Sequence, residues 1–220
     1  MRYRDRREAG ERLGEAIADA GVVVSGERAL VLGIPRGGVP VAAVVAARLD
    51  ADLDVLVAHK LGAPGNPEFA IGAVAEGGTT ILDDGVITRY GIDDGYVARE
   101  IAAQRAHVEA RAGMLRGVRP AIPVVGRVCI AVDDGVATGA TLEAALRLLL
   151  TANAAQVVAA VPVGPPETLR RLAGIVDAVV CPLQPRTFFA VGGWYERFGQ
   201  VSDAEVVAAL EAFHRRAGEG

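Results

Sequence analysis

Short aliphatic runs alternate along the chain with stretches whose apolar positions recur every three or four residues. Residues 29–34 (ALVLGI), 54–59 (DVLVAH), 127–132 (RVCIAV), 156–163 (QVVAAVPV) and 176–181 (VDAVVC) read as strands. They are rich in valine, isoleucine and leucine without polar alternation, the pattern of parallel strands covered on both faces. Between them, residues 5–20 put Ala9, Leu13, Ile17 and Ala20 on one helical face, and residues 39–49 are rich in valine and alanine. Residues 141–152 place Leu142, Ala145, Leu146 and Leu149 at i, i+3, i+4 and i+7. This alternation predicts an α/β fold, a doubly wound, Rossmann-like parallel sheet.

Residues 62–120 break the alternation. A Gly/Pro-rich segment (LGAPGNPEF) leads into two more strand-like runs, AIGAVAEGG and TTILDDGVI, which meet near Gly77 and Gly78. A long polar helix follows near 94–115, with Asp93 or Asp94 as its N-cap. The segment reads as a small α+β lobe inserted into a core made of residues 1–61 and 121–220, the second part including a C-terminal tail. The simpler reading, a cap over one edge of the sheet, stays open.

The composition is that of a globular chain: 220 residues, 51% hydrophobic and 23% charged, enough to bury a core. A net charge of -4 argues against a general nucleic-acid coat, yet leaves room for one local anion pocket. Cys129 and Cys181 form neither a CxxC pair nor a dense framework, and read as buried, reduced thiols. The opening residues (MRYRDRREAGERLGEAI) lack an apolar secretory core, and no run reaches the ~18 apolar residues that span a bilayer. A cytoplasmic protein without a membrane segment is expected. His59, His107 and His214 lie far apart without metal-ligand spacing and read as structural.

The strongest chemical signal is residues 128–141, VCIAVDDGVATGAT. It is an apolar strand ending in two acids, a Gly/Thr-rich turn, and the start of an Ala/Leu helix. Ligands of doubly wound folds gather where parallel strands end. The backbone N–H groups of Ala137, Thr138, Gly139, Ala140 and Thr141 would converge at a helix N-terminus, where the dipole also favours an anion. Asp133 and Asp134 are acceptors that repel phosphate and suit ribose hydroxyls or a hydrated Mg²⁺. Acids beside an anion cradle call for a phosphorylated sugar. Neither a Walker loop nor a GxGxxG fingerprint is present.

These residues resemble the signature of the type I phosphoribosyltransferases, which bind 5-phosphoribosyl 1-diphosphate. The resemblance implies that Asp133 and Asp134 hold the ribose hydroxyls, and that Ala137, Thr138, Gly139, Ala140 and Thr141 hold the 5-phosphate. It implies Mg²⁺ at the diphosphate, with a role for Asp133 and Asp134 in its binding. A second element of the family, a diphosphate loop after the first core strand, is similar to GIPRGGVP at 33–40. Arg36, Gly37 and Gly38 would supply its amides and one permanent cation, and the Pro35–Arg36 peptide is the one implied to be cis. Lys60 would reach the diphosphate from the end of the next strand, unless it is a solvated lysine. NPEFAIGAVAEGG and the tail FFAVGGWYERFGQVSDAEV resemble a bacterial subgroup of stand-alone phosphoribosyltransferases.

The implied reaction transfers phosphoribose to a nitrogenous base, inverts C1 and releases diphosphate. In the family's 6-oxopurine enzymes the residue before Thr-Gly is an acid. Here it is Ala137, which disfavours such acceptors. If a general base is needed, the candidates are Glu68 and Glu76, each rivalled by an ordinary surface role. Phe188, Phe189, Trp194 and Tyr195 could stack on a base or pack the tail against the sheet. The partners expected are small molecules, with no membrane and no nucleic acid; a homo-oligomer is compatible with the sequence. A sensor of phosphoribosyl diphosphate or a nucleotide, built on the same fold without catalysis, is the alternative. The echo ILDDGVIT at 81–88 lacks the Thr-Gly-Ala-Thr turn and reads as a polar hairpin strand of the lobe.

Overall fold

The computed structural model describes residues 2–22, 29–117 and 119–217, except the side chains of Pro67, Glu68 and Ala217. In chain order the elements are α1 (Arg6–Asp19), β1 (Leu30–Gly33), α2 (Gly38–Leu49), β2 (Asp52–Val55), β3 (Ala58–Ala63), β4 (Asn66–Ala75), β5 (Thr80–Leu82), α3 (Asp84–Tyr90), α4 (Asp94–Arg116), β6 (Val128–Val132), α5 (Ala140–Thr151), β7 (Gln156–Ala160), α6 (Pro166–Ala173), β8 (Ala178–Val180) and α7 (Asp203–Ala217). Five strands form a sheet in the order β2-β1-β6-β7-β8, paired in parallel throughout. A three-stranded antiparallel sheet, β3-β4-β5, stands apart from it.

The aliphatic runs become strands because both of their faces are covered. Val31, Leu53, Ile130, Val132 and Val158 enter one buried cluster with residues of α1, α2, α4 and α7. The alternate residues Leu30, Leu32, Cys129, Ala131 and Val157 enter another with α5 and α6. A period of two on a sheet buried on both sides therefore needs apolar residues at every position. The cysteines are free and buried, and burial pushes the Cys129 thiol up to about 11 and Cys181 up to about 12. Among the described residues, no helix is long and apolar enough to cross a membrane.

Three local readings change. The run 54–59 divides, because Val55 pairs with Gly33, the last residue of β1, and the Leu56 amide donates to the Gly33 carbonyl. Beyond that point β1 offers no partner, so the chain turns and His59 and Lys60 fall in β3. The run 156–163 ends as a strand at Ala160, with Val163 keeping only an isolated bridge to Leu183. In TTILDDGVI only Thr80–Leu82 is a strand. The Asp83 carboxylate accepts from the Val86 amide at 2.9 Å and starts α3, so ILDDGVIT is strand, cap and helix. Asp93, not Asp94, caps α4.

One ion-paired cluster ties β2 to the smaller sheet. Arg116, at the end of α4, donates from Nε to Asp54 Oδ1 at 2.6 Å, pairs with Glu76, and donates to the Val55 carbonyl. Asp54 also accepts from the Ile122 amide at 2.9 Å. Asp54 is only 4% exposed, so Arg116→Leu would strand a buried carboxylate. That substitution is expected to lower stability by about 3–5 kcal/mol. Urea unfolding of the two proteins checks it; a loss under about 1 kcal/mol contradicts the account.

Candidate functional site

The site is built where β1 and β6 end side by side. Gly33 and Val132 are register partners, and the Ile34 amide donates to the Val132 carbonyl at 2.8 Å. The loop after β1 is thereby held against the acids after β6. The Pro35–Arg36 peptide is cis, as the resemblance implied. The next two residues touch the acid loop so closely that no side chain fits. A β-carbon on Gly37 would overlap the Asp134 carboxylate, and one on Gly38 would sit 2.9 Å from Asp133 Cα.

The two acids are not alike. The Asp133 carboxylate accepts from the Asp134 amide at 2.8 Å, and burial, with the Asp134 charge second, pushes it up to about 8. Asp134 is also raised by burial, but Arg6 opposes the shift. Arg6 donates to Asp134 Oδ2 from Nε at 2.9 Å and lies 2.7 Å from it through Nη2. Its guanidinium is stacked 4.1 Å from the Phe198 ring centroid and donates to the Gly199 carbonyl at 2.8 Å. The buried Tyr195 hydroxyl donates to the Asp134 backbone carbonyl at 2.5 Å. Asp5, accepting from the Arg7 and Glu8 amides, starts α1 one residue before Arg6 and so sets where that side chain leaves.

The turn after the acids is tied back by its carbonyls. Thr168 Oγ1 donates to the Ala137 carbonyl at 2.7 Å, Arg171 donates to the Thr138 carbonyl, and the Val136 amide donates to Val163. Gly139, at φ +80°, opens α5 without a capping side chain. The carbonyls of the turn are thus fastened from behind, and α5 opens with no side-chain hydrogen bond capping its first-turn amides. A cavity of about 330 Å³ brings Arg36, Gly37 and Asp134 together with Arg6 and Phe198.

Other residues singled out in the sequence lie elsewhere. Lys60 pairs with Ala73 inside the antiparallel sheet. Glu76 is the partner of Arg116 and lines a separate cavity with Asp54. Glu68 lies outside the described side chains. Phe188 stacks on Trp194 with ring centroids 6.4 Å apart, in a small cluster with Tyr3 and Tyr195, whereas Phe189 is 93% exposed. Sequence reasoning missed Arg6 and Phe198, and offered Tyr195 for stacking or packing where its hydroxyl instead holds the Asp134 carbonyl. Nothing local marks Arg6, whose partner is 128 positions away.

A parallel sheet carries a glycine loop, an acid pair and a Gly/Thr turn that opens a helix at its carboxyl edge. The phosphoribosyl transferase domain profile matches residues 8–192, and the chain belongs to that family. It is 45% identical over 213 residues to proteins of Mycobacterium tuberculosis strains CDC 1551 and H37Rv, each named "Putative phosphoribosyl transferase". That alignment covers 97% of this chain and 47% of theirs, so the chain spans about half the length of these curated relatives. Its structure is similar to the crystal structure of TT1426 from Thermus thermophilus. The two share 48% identity at a TM-score of 0.87, over 97% of this chain and 99% of the other.

The packing of Gly37 on Asp134 yields a prediction. Gly37→Ala must displace the carboxylate that Arg6 holds, so affinity for 5-phosphoribosyl 1-diphosphate is expected to fall roughly 10²-fold. Calorimetric titration measures it, and unchanged affinity would show that the contact does not shape the site.

Proposed function

We propose that the protein is a phosphoribosyltransferase that moves phosphoribose from 5-phosphoribosyl 1-diphosphate to a nitrogenous base and releases diphosphate. The single observation that carries this reading is the direct contact of the Gly37–Gly38 loop with the Asp133–Asp134 turn. It supports the reading because one small molecule can span the loop and the turn together.

In this reading the amides of Ala137, Thr138, Gly139, Ala140 and Thr141 hold the 5-phosphate, each hydrogen bond to the anion contributing about 1.5–3 kcal/mol. Asp133 and Asp134 hold the ribose hydroxyls. Burial raises Asp133 to about 8. Arg6 aims Asp134 and opposes the rise that burial causes in it. Arg36, Gly37 and Gly38 hold the diphosphate. As the C1–O bond breaks, its electron pair passes to the departing diphosphate while the base nitrogen bonds C1 from the opposite side. The protein's part is positioning and fixed electrostatics.

The donor set fits a Mg²⁺ carried mainly by the substrate. Asp134 Oδ2 is already engaged by Arg6 and Asp133 is raised, so the acids suit a hydrated ion and form no all-protein cage. Mg²⁺ would supply neutralisation of the diphosphate charge. For the acceptor, Ala137 in place of an acid disfavours 6-oxopurines, and the exposed Phe189 ring offers an aromatic surface for stacking.

A panel of nucleobases with 5-phosphoribosyl 1-diphosphate and Mg²⁺, read by diphosphate release, tests the proposal. At least one acceptor should turn over, hypoxanthine and guanine should not, and Asp133→Asn/Asp134→Asn should lose roughly 10²-fold or more. Tight binding with every acceptor inert would replace the enzyme by a sensor. No binding of any phosphorylated ribose would sink both.

A further inference from the structure

Between the loop that starts at Pro35 and the first turn of α5 lies a second cavity, of about 180 Å³. Its floor is aliphatic, and the polar side chains that line it are His59, His107, Arg111 and Thr141. His59 comes from β3. His107 and Arg111 stand at i and i+4 on α4 and so share a face. The two imidazoles meet edge to face with centroids 5.6 Å apart. The Arg111 fork is clamped by Asp203, at 3.0 and 2.6 Å. Arg111 first, and Arg36 after it, hold Asp203 below the usual carboxylate range. One carboxylate thus links α4 to the loop that carries Arg36.

The order of strands decides which part of a substrate reaches this cavity. The acids follow β6; β1 and β2 lie on one side of it, β7 and β8 on the other. Displacement with inversion puts nucleophile and leaving group on opposite sides of C1. The tail with Phe189 follows β8, whereas the histidine cavity borders Pro35 after β1 and Ala58 after β2. Its volume equals about six waters at roughly 30 Å³ each, room for a diphosphate and not for a nucleotide.

We propose that His59, His107 and Arg111 form the outer wall of the diphosphate subsite, facing the amides of Arg36, Gly37 and Gly38 across the leaving group. The assignment rests on the phosphoribosyltransferase reading above and gives the inserted segment a role in it. His59 Nδ1 lies 2.9 Å from the Lys60 carbonyl and carries its proton there, so Nε2 is the nitrogen left for a ligand. Lys60 leaves β3 on the opposite face from His59.

The test is calorimetric titration of the full chain and of His59→Gln/His107→Gln with Mg²⁺–diphosphate, inorganic phosphate and ribose 5-phosphate. Both histidines are exposed, and His107→Gln alone serves if the double variant melts early. Diphosphate affinity should fall about tenfold or more while ribose 5-phosphate affinity stays unchanged. Unchanged diphosphate affinity, or an equal loss for both ligands, overturns the assignment and leaves the proposed function standing. Phosphate binding as tight as diphosphate would make the cavity a general anion pocket and overturn it too. A wild-type chain that binds neither diphosphate nor ribose 5-phosphate defeats the proposed function, and this inference with it.

Discussion

The arrangement of the site depends on how a carboxylate is held at the end of β6. Burial raises Asp134, because desolvation disfavours the charged form, and Arg6 opposes that shift. Arg6 makes two contacts to one oxygen, and Phe198 and the Gly199 carbonyl hold Arg6 in turn. The glycine loop after β1 can then lie directly on the carboxylate, and Tyr195 pins the backbone beneath it. Elements from both ends of the chain converge on one side chain. The N-terminal helix and the C-terminal tail are parts of the site, not decoration around a sheet.

The same logic separates the acids of the molecule by what they can do. Asp54 and Glu76 share one guanidinium and are committed to joining β2 with the smaller sheet. Asp203 is shared between Arg111 and the field of Arg36, which couples α4 to the loop that carries Arg36. Asp133 has no ion-pair partner among the described residues, and burial and the Asp134 charge raise it. Carboxylates that look equivalent in the sequence differ because their cations arrive from distant elements.

Breaking the strand at Val55 has consequences beyond the boundary itself. Once β2 has no more of β1 to pair with, the chain crosses into the antiparallel hairpin and carries His59 to the cavity beside Pro35 and Thr141. A period of two then sends Lys60 to the other face. The basic residue that the linear pattern favours and the residue that lines the cavity are neighbours separated by one pleat.

Much of this protein was determined by sequence alone. Continuous aliphatic runs required a sheet buried on both faces, and residues 128–141 placed two acids and a Gly/Thr turn at its edge, because those properties are local. The cap residue that turns ILDDGVIT into a helix was also local, yet strand propensity masked it until Asp83 was seen to satisfy the Val86 amide. Only the tertiary structure decided that Arg6 holds Asp134, that Arg116 consumes Glu76, that Phe188 and Trp194 pack together while Phe189 stays free, and that His59 and His107 meet. Each of these is a contact between residues far apart in the chain or on different faces of one element. Charge and ring type are written in the sequence; the partner that makes a side chain structural or available is chosen by packing.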